Sequence, residues 1–172
     1  MTPNATPFDT LAAPQDPTHG LEALARLLEG LGFRLRWACE GLTEEDCAET
    51  PIPGTWSIGE QIAHVVVLVR FGRRALEEGQ ASWEGEDPSY NHPLGYMHAL
   101  EEISRTIGLL REYPERLSTA TLSAGPEHLF PAAYLVNGPW ADALTHVGQI
   151  IVLRKAIGKP APAVQPFLGR RL

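Results

Sequence analysis

Trp56-Ser57-Ile58-Gly59-Glu60-Gln61-Ile62-Ala63-His64 and Asp142-Ala143-Leu144-Thr145-His146-Val147-Gly148-Gln149 are the two stretches on which the reading of this chain turns. Each reads as the opening of an apolar helix that carries a histidine about two turns in. Asp142 and His146 stand four residues apart, so on a helix they share a side one turn apart. If the two helices are neighbours, His64, Asp142 and His146 bring two imidazoles and one carboxylate together. That donor set suits Zn, Fe or Ni, with positions left for water or substrate.

Working outward, Ser57 followed three residues later by Glu60 is a capping-box pattern, so Glu60 is expected to cap the helix rather than to act in chemistry. That helix is expected to run to about Glu78. It is apolar almost all round from Val65 to Val69, so it must be covered on more than one side. His64 lies off its Ile58, Ile62, Val65, Val69 stripe. Asn137-Gly138-Pro139 starts the other helix with proline in the first turn, and Gly158 and Pro160 end it near Ile157. On this helix Asp142 and His146 share a face with Ile150, Leu153 and Ile157.

Two further helices are legible. Asp16-Pro17 reads as an N-cap and first position, and Leu21, Leu24, Leu28, Leu31 and Leu35 follow at three- and four-residue steps. Tyr96, Leu100, Ile103, Ile107 and Leu110 form a second stripe, closed near Pro114. Between them, 42–55 and 79–93 are connections. The longer carries Trp83 and Tyr90, and with aromatics it suits a pocket wall. Residues 117–136 read as loop, with Tyr134-Leu135-Val136 a candidate extended piece. The expectation is an all-α four-helix bundle with long connections, spanning residues 16–172 as one domain. Residues 1–15 form a flexible arm, and the tail from Lys159 is Pro-rich and packs outside. No internal repeat, useful strand alternation or phosphate-binding glycine loop is evident.

The remaining composition excludes more than it asserts. At 172 residues with 44% hydrophobic and 20% charged residues, the chain is large enough to bury a core. A net charge of −7 without a basic stripe argues against nucleic acid. The longest apolar run, Ile62 to Leu68, is far too short to span a bilayer, so no membrane partner is expected. The two cysteines, Cys39 and Cys47, have no metal-site or disulfide-framework spacing, and neither has a sequence-local base. With no secretory signal evident, a cytoplasmic protein is expected. His19, His92, His98 and His128 fall in first-turn, loop or off-stripe positions. Arg70, Arg73 and Arg74 read as a solvated face, with one available to an anionic ligand. Taken alone, His146 also fits a hydrogen-bonded core histidine, and Asp142 a carboxylate favoured early in a helix.

The W-S-I-G-E-Q-I-A-H opening, the later H-V-G-Q-I, and L-R-K-A-I-G-K-P-A-P after it resemble the DinB family and its YfiT-like relatives over about residues 20 to 165. The resemblance implies an up-up-down-down four-helix bundle, often a homodimer. It implies a divalent metal, Zn, Ni or Fe, held at His64, Asp142 and His146. The family usually has histidine where this chain has Asp142, and arginine where it has Val147. Relatives with known activity look like thiol transferases using bacillithiol or mycothiol, or isomerases using mycothiol. The resemblance therefore implies a metal-dependent S-transferase that joins a low-molecular-weight thiol to small electrophiles in stress or detoxification. In it Trp56, Phe71, Trp83 or Tyr96 would wall the pocket and Gln149 would support a ligand. The alternative is a non-catalytic bundle binding a small molecule or metal through a degenerate site.

Overall fold

The computed structural model describes residue 8 and residues 20–123, 125, 128–165 and 169–171. The expected arm, apart from Phe8, and the Asp16-Pro17 cap lie outside the described residues. The protein is predominantly helical, with four long helices: α1 (Gly20–Cys39), α3 (Ile58–Glu78), α4 (Gly95–Glu112) and α6 (Pro139–Ala156). Two short helices, α2 (Glu44–Ala48) and α5 (Arg116–Thr119), sit in the connections. None of the described helices is long and apolar enough to cross a membrane.

Each long helix packs against two others: α1 against α4 and α6, and α3 against α4 and α6. Their apolar faces meet in a common core, with Leu28, Leu35, Ile58, Ile62, Leu100, Ile103 and Ile150 almost fully buried. The start of α3 follows from its sequence. The Ser57 hydroxyl accepts from the Glu60 backbone N–H at 3.2 Å, and the Glu60 carboxylate accepts from the Ser57 N–H at 2.7 Å. Glu60 is a cap, as expected.

Named pairs fix the direction of each helix. Arg111, near the end of α4, grips Glu22 in the first turn of α1 at 2.9 Å, so those two run antiparallel. Arg154, near the end of α6, donates to the Ala38 and Glu40 carbonyls at the end of α1, both at 2.8 Å, so those two run parallel. Along α3, Gln61 meets His146 while Gly72 lies against Trp140, which makes α3 and α6 antiparallel. Ile62 lies against Gly95 and Glu77 bonds Arg105, which makes α3 and α4 parallel. In chain order the senses are up, down, down, up. This corrects the expected up-up-down-down order. The physical reason lies in the connections: 40–57 joins ends on the same side of the molecule, whereas 80–94 must travel back along α3, roughly 30 Å of helix, before α4 begins.

The other correction is a small sheet. β1 (Gln80–Ser82) pairs in parallel with β2 (Thr121–Ser123), which pairs antiparallel with β3 (Leu129–Pro131). It closes the end where α3 and α4 both finish, turning Ala81 and Leu122 inward. Tyr134-Leu135-Val136 is not extended: Ala132–Leu135 is a 3-10 turn. Strands of three residues are too short to show a period in sequence. A second short ladder pairs β4 (Val164–Gln165) with β5 (Arg170–Arg171). The tail lies along α1, where the Trp37 indole donates to the Pro162 carbonyl.

Candidate metal centre

α3 and α6 meet side by side, and His64, Asp142 and His146 come together there. Asp142 lies in the first turn of α6, which Pro139 opens, and its carboxylate reaches both rings. His64 Nε2 is 3.4 Å from Asp142 Oδ2, and His146 Nε2 is 3.4 Å from Asp142 Oδ1. One ligand atom from each of the three lies within 4.8 Å of the others. The convergence that the spacing leaves conditional is present.

The far side of each ring decides what these atoms can do. His64 Nδ1 lies 2.7 Å from Glu86 Oε1, and His146 Nδ1 lies 2.5 Å from Gln61 Oε1. Both partners are acceptors, so each ring donates its Nδ1–H outward and turns the Nε2 lone pair inward. In their neutral form the two rings thus present nitrogen lone pairs to a carboxylate. That arrangement repels itself unless a cation sits at its centre, and outward Nδ1–H bonds are how metal-binding histidines are oriented. The electrostatics agree. Burial, and then the nearby His64, pull His146 below the ordinary histidine range against the opposing pull of Asp142, which favours the neutral, ligating imidazole. His64 is buried, whereas the Asp142 side chain is 47% exposed, so the cluster opens to solvent on one side. Two imidazoles and a carboxylate fit a borderline divalent cation with open positions.

Aromatic rings frame the cluster. Trp56 stacks on His146 with centroids 5.6 Å apart and an 11° interplanar angle, and stands edge-on to His64 at 5.0 Å. Trp83, from the connection after β1, meets His64 at 6.2 Å and packs on Phe71 at 5.7 Å. Of the four expected wall residues, Trp56 and Trp83 meet the cluster, and Phe71 lies behind Trp83. Tyr96 does neither: it sits at the start of α4 beside the end of α1, where Cys39, Arg36 and Glu40 act on its hydroxyl. Gln149 lines the cavity beside His146, whose volume is about 560 Å³. A smaller one of about 270 Å³ lies between Trp56 and Glu86.

The other candidates are accounted for elsewhere. Among the described residues, His92, His98 and His128 take no part in the cluster, and His98 packs on the Tyr90 ring. Arg70, Arg73 and Arg74 pair with Asp87, with Glu77 and Glu102, and with Glu78 and Glu84. Both cysteines are buried. Burial pushes the Cys39 thiol far up and the Cys47 thiol up to about 12, so neither supplies a thiolate. Val147 is a core residue, 1% exposed.

Sequence reasoning missed Gln61 and Glu86. A signal existed for Gln61, a polar residue inside an apolar helix and three positions before His64, where i and i+3 share a face. Glu86 is brought in by a returning loop and has no local signal.

With the geometry in hand, a family model described as the DinB superfamily matches residues 27–151, a span that includes all three cluster residues. No curated protein matches the chain.

Proposed function

The chain belongs to the DinB superfamily, and from that premise we propose that it is a metal-dependent S-transferase whose divalent ion is held by His64 Nε2, His146 Nε2 and an Asp142 carboxylate oxygen. One observation carries the reading: two ring nitrogens and a carboxylate oxygen lie within 4.8 Å of one another while the opposite ring nitrogens are bonded to Glu86 and Gln61. Zn, Ni or Fe bound there would hold a coordinated thiol as thiolate at neutral pH. The thiol is of the low-molecular-weight bacillithiol or mycothiol type. Its sulfur forms a bond to an electrophilic carbon, the leaving group departs with the bonding electrons, and the thiol proton passes to solvent. Glu86 and Gln61 hold the two rings in their ligating orientation, Trp56 and Trp83 exclude water, and the open Asp142 side admits the reactants. As an anionic ligand, Asp142 lowers the electrophilicity of the ion relative to an all-imidazole site.

The same reading makes the protein a cytoplasmic homodimer built on a DinB-like four-helix bundle, acting on small electrophiles in stress or detoxification. A second reading, a non-catalytic metal or small-molecule binder, is favoured by one observation. Val147, where the family usually carries arginine, is an apolar core residue.

Metal content by plasma mass spectrometry on tag-free protein, beside His64→Ala and Asp142→Ala, tests the centre. Near-stoichiometric metal in the parent and its loss in both variants is expected. No metal after reconstitution with Zn, Ni, Fe and Mn would sink the reading. If metal is bound, consumption of monochlorobimane with a panel of thiols separates transferase from binder.

A further inference from the structure

We propose that the cavity beside His146 binds an electrically neutral ligand with an apolar part and hydrogen-bonding groups, and discriminates against anionic molecules of the same shape. The proposal deepens the S-transferase reading by naming the class of electrophile, and rests on it only in that the electrophile's reacting carbon would reach the metal centre.

The cavity measures about 560 Å³, enough for a small organic molecule. Its apolar wall comes from Ile52, Trp56, Val152 and Leu153. Its polar groups are all uncharged, and apart from His146 no titratable side chain lines it. The Thr55 hydroxyl already donates to the Ile52 carbonyl at 2.7 Å, and the Thr145 hydroxyl to the Ala141 carbonyl at 3.1 Å, so both present lone pairs to a ligand. Gln61 gives its carbonyl oxygen to His146 and keeps its amide N–H groups. The lining thus offers donors and acceptors without a cation. A carboxylate or phosphate entering it would shed water and gain no counter-ion, which is costly, whereas amides and alcohols would be matched. The metal centre does not reverse this. Asp142 and Glu86 both flank the imidazoles, so two carboxylates already balance a dication.

Gly148 supplies the test. It is exposed on α6, and a Cβ built on it meets nothing within 4 Å, so a larger side chain there projects into open space without straining the helix. The probes are N-acetyl-L-phenylalaninamide and N-acetyl-L-phenylalanine, nearly identical in shape and different in charge. Each is titrated by calorimetry or saturation-transfer NMR into parent and Gly148→Leu, chelated and metal-loaded, with metal content measured on every sample. The amide is expected to bind the parent at least tenfold more tightly than the acid in both forms. Gly148→Leu is expected to weaken amide binding at least tenfold with metal content unchanged. Equal binding of the two, no binding of either, or unaltered amide binding by Gly148→Leu would overturn the proposal. A parent that takes up no metal yet prefers the amide would fail the S-transferase reading alone. Metal uptake with equal binding would fail the cavity inference alone.

Discussion

Glu86 Oε1 accepts the His64 Nδ1–H at 2.7 Å across a separation of 22 residues. The bond fixes which nitrogen of the ring faces Asp142, so a loop carboxylate aims a helix-borne imidazole of the proposed metal centre. Removing it with Glu86→Ala should weaken metal affinity about 10- to 100-fold, the usual loss when such a partner is deleted. Glu86→Gln, which keeps an acceptor, should lose less. Chelator competition reads the affinity, and an unchanged far-UV circular dichroism spectrum shows that the fold is retained. Full affinity in Glu86→Ala would mean that His64 is not positioned by this bond.

Metal retention should depend on pH with a definite sign. A ligating imidazole must be neutral, so protons compete with the ion. Burial and the neighbouring His64 lower the affinity of His146 for its proton, so competition at that ring sets in below the ordinary histidine value of about 6.5. Protein loaded at pH 8 should keep its metal at pH 7 and release it only as pH falls below the ordinary histidine range. Dialysis over a pH series with metal analysis checks this, and release already complete at pH 7 would contradict it.

Acid sensitivity of the fold should trace in part to Asp46. Burial pushes its carboxyl up, but the Lys159 ammonium at 2.6 Å and bonds from Thr43 outweigh that and leave it below the usual carboxylate range. A depressed folded-state value means that the stabilisation is present above the unfolded value of about 3.9 and is lost as pH falls from there through the lower folded-state value. Asp46→Asn should therefore lower the melting temperature at pH 7 and flatten its decline below about pH 4, the unfolded carboxylate value. An identical acid slope in parent and variant would remove Asp46 from the explanation.

Two glycines on α4 should respond in opposite ways to alanine. At Gly95 a Cβ would collide with the Tyr90 carbonyl and press on Ile62 at 3.0 Å, so backbone must move. Gly95→Ala should cost about 3 kcal/mol, a fall in melting temperature of roughly 6–12 °C for a chain of this size. At Gly108 nothing lies within 4 Å of the added carbon, and Gly108→Ala should stabilise by about 0.5–1 kcal/mol. Thermal melts of the pair decide it.

What was legible in the sequence follows how local each signal is. The Ser57–Glu60 cap, the helical stripes and the Asp142–His146 spacing are relations over three or four residues, and the structure holds each of them. His64 joined them because a helix that is apolar all round must be packed against neighbours, and α6 is one of them. Helix direction was not legible, because a long connection is compatible with either sense and only pairs such as Glu77 with Arg105 distinguish them. Nor were the three-residue strands, or the exclusion of Tyr96, whose periodicity places it on the α4 core stripe without saying which neighbour that stripe meets. Glu86 was hidden for the same reason: its partner is chosen by the path of the loop.

That path has a consequence for how such a protein changes over time. The helices carry the three side chains proposed to hold the metal, while the strand-and-loop return from α3 to α4 brings the carboxylate and the indole that touch one of them. Scaffold and surroundings thus reside in separable segments. A lineage can rewrite residues 83–91, altering net charge and the shape of the entrance, while inheriting the helical frame intact. A change at position 86 is therefore expected to alter the surroundings of His64 well before it alters the architecture.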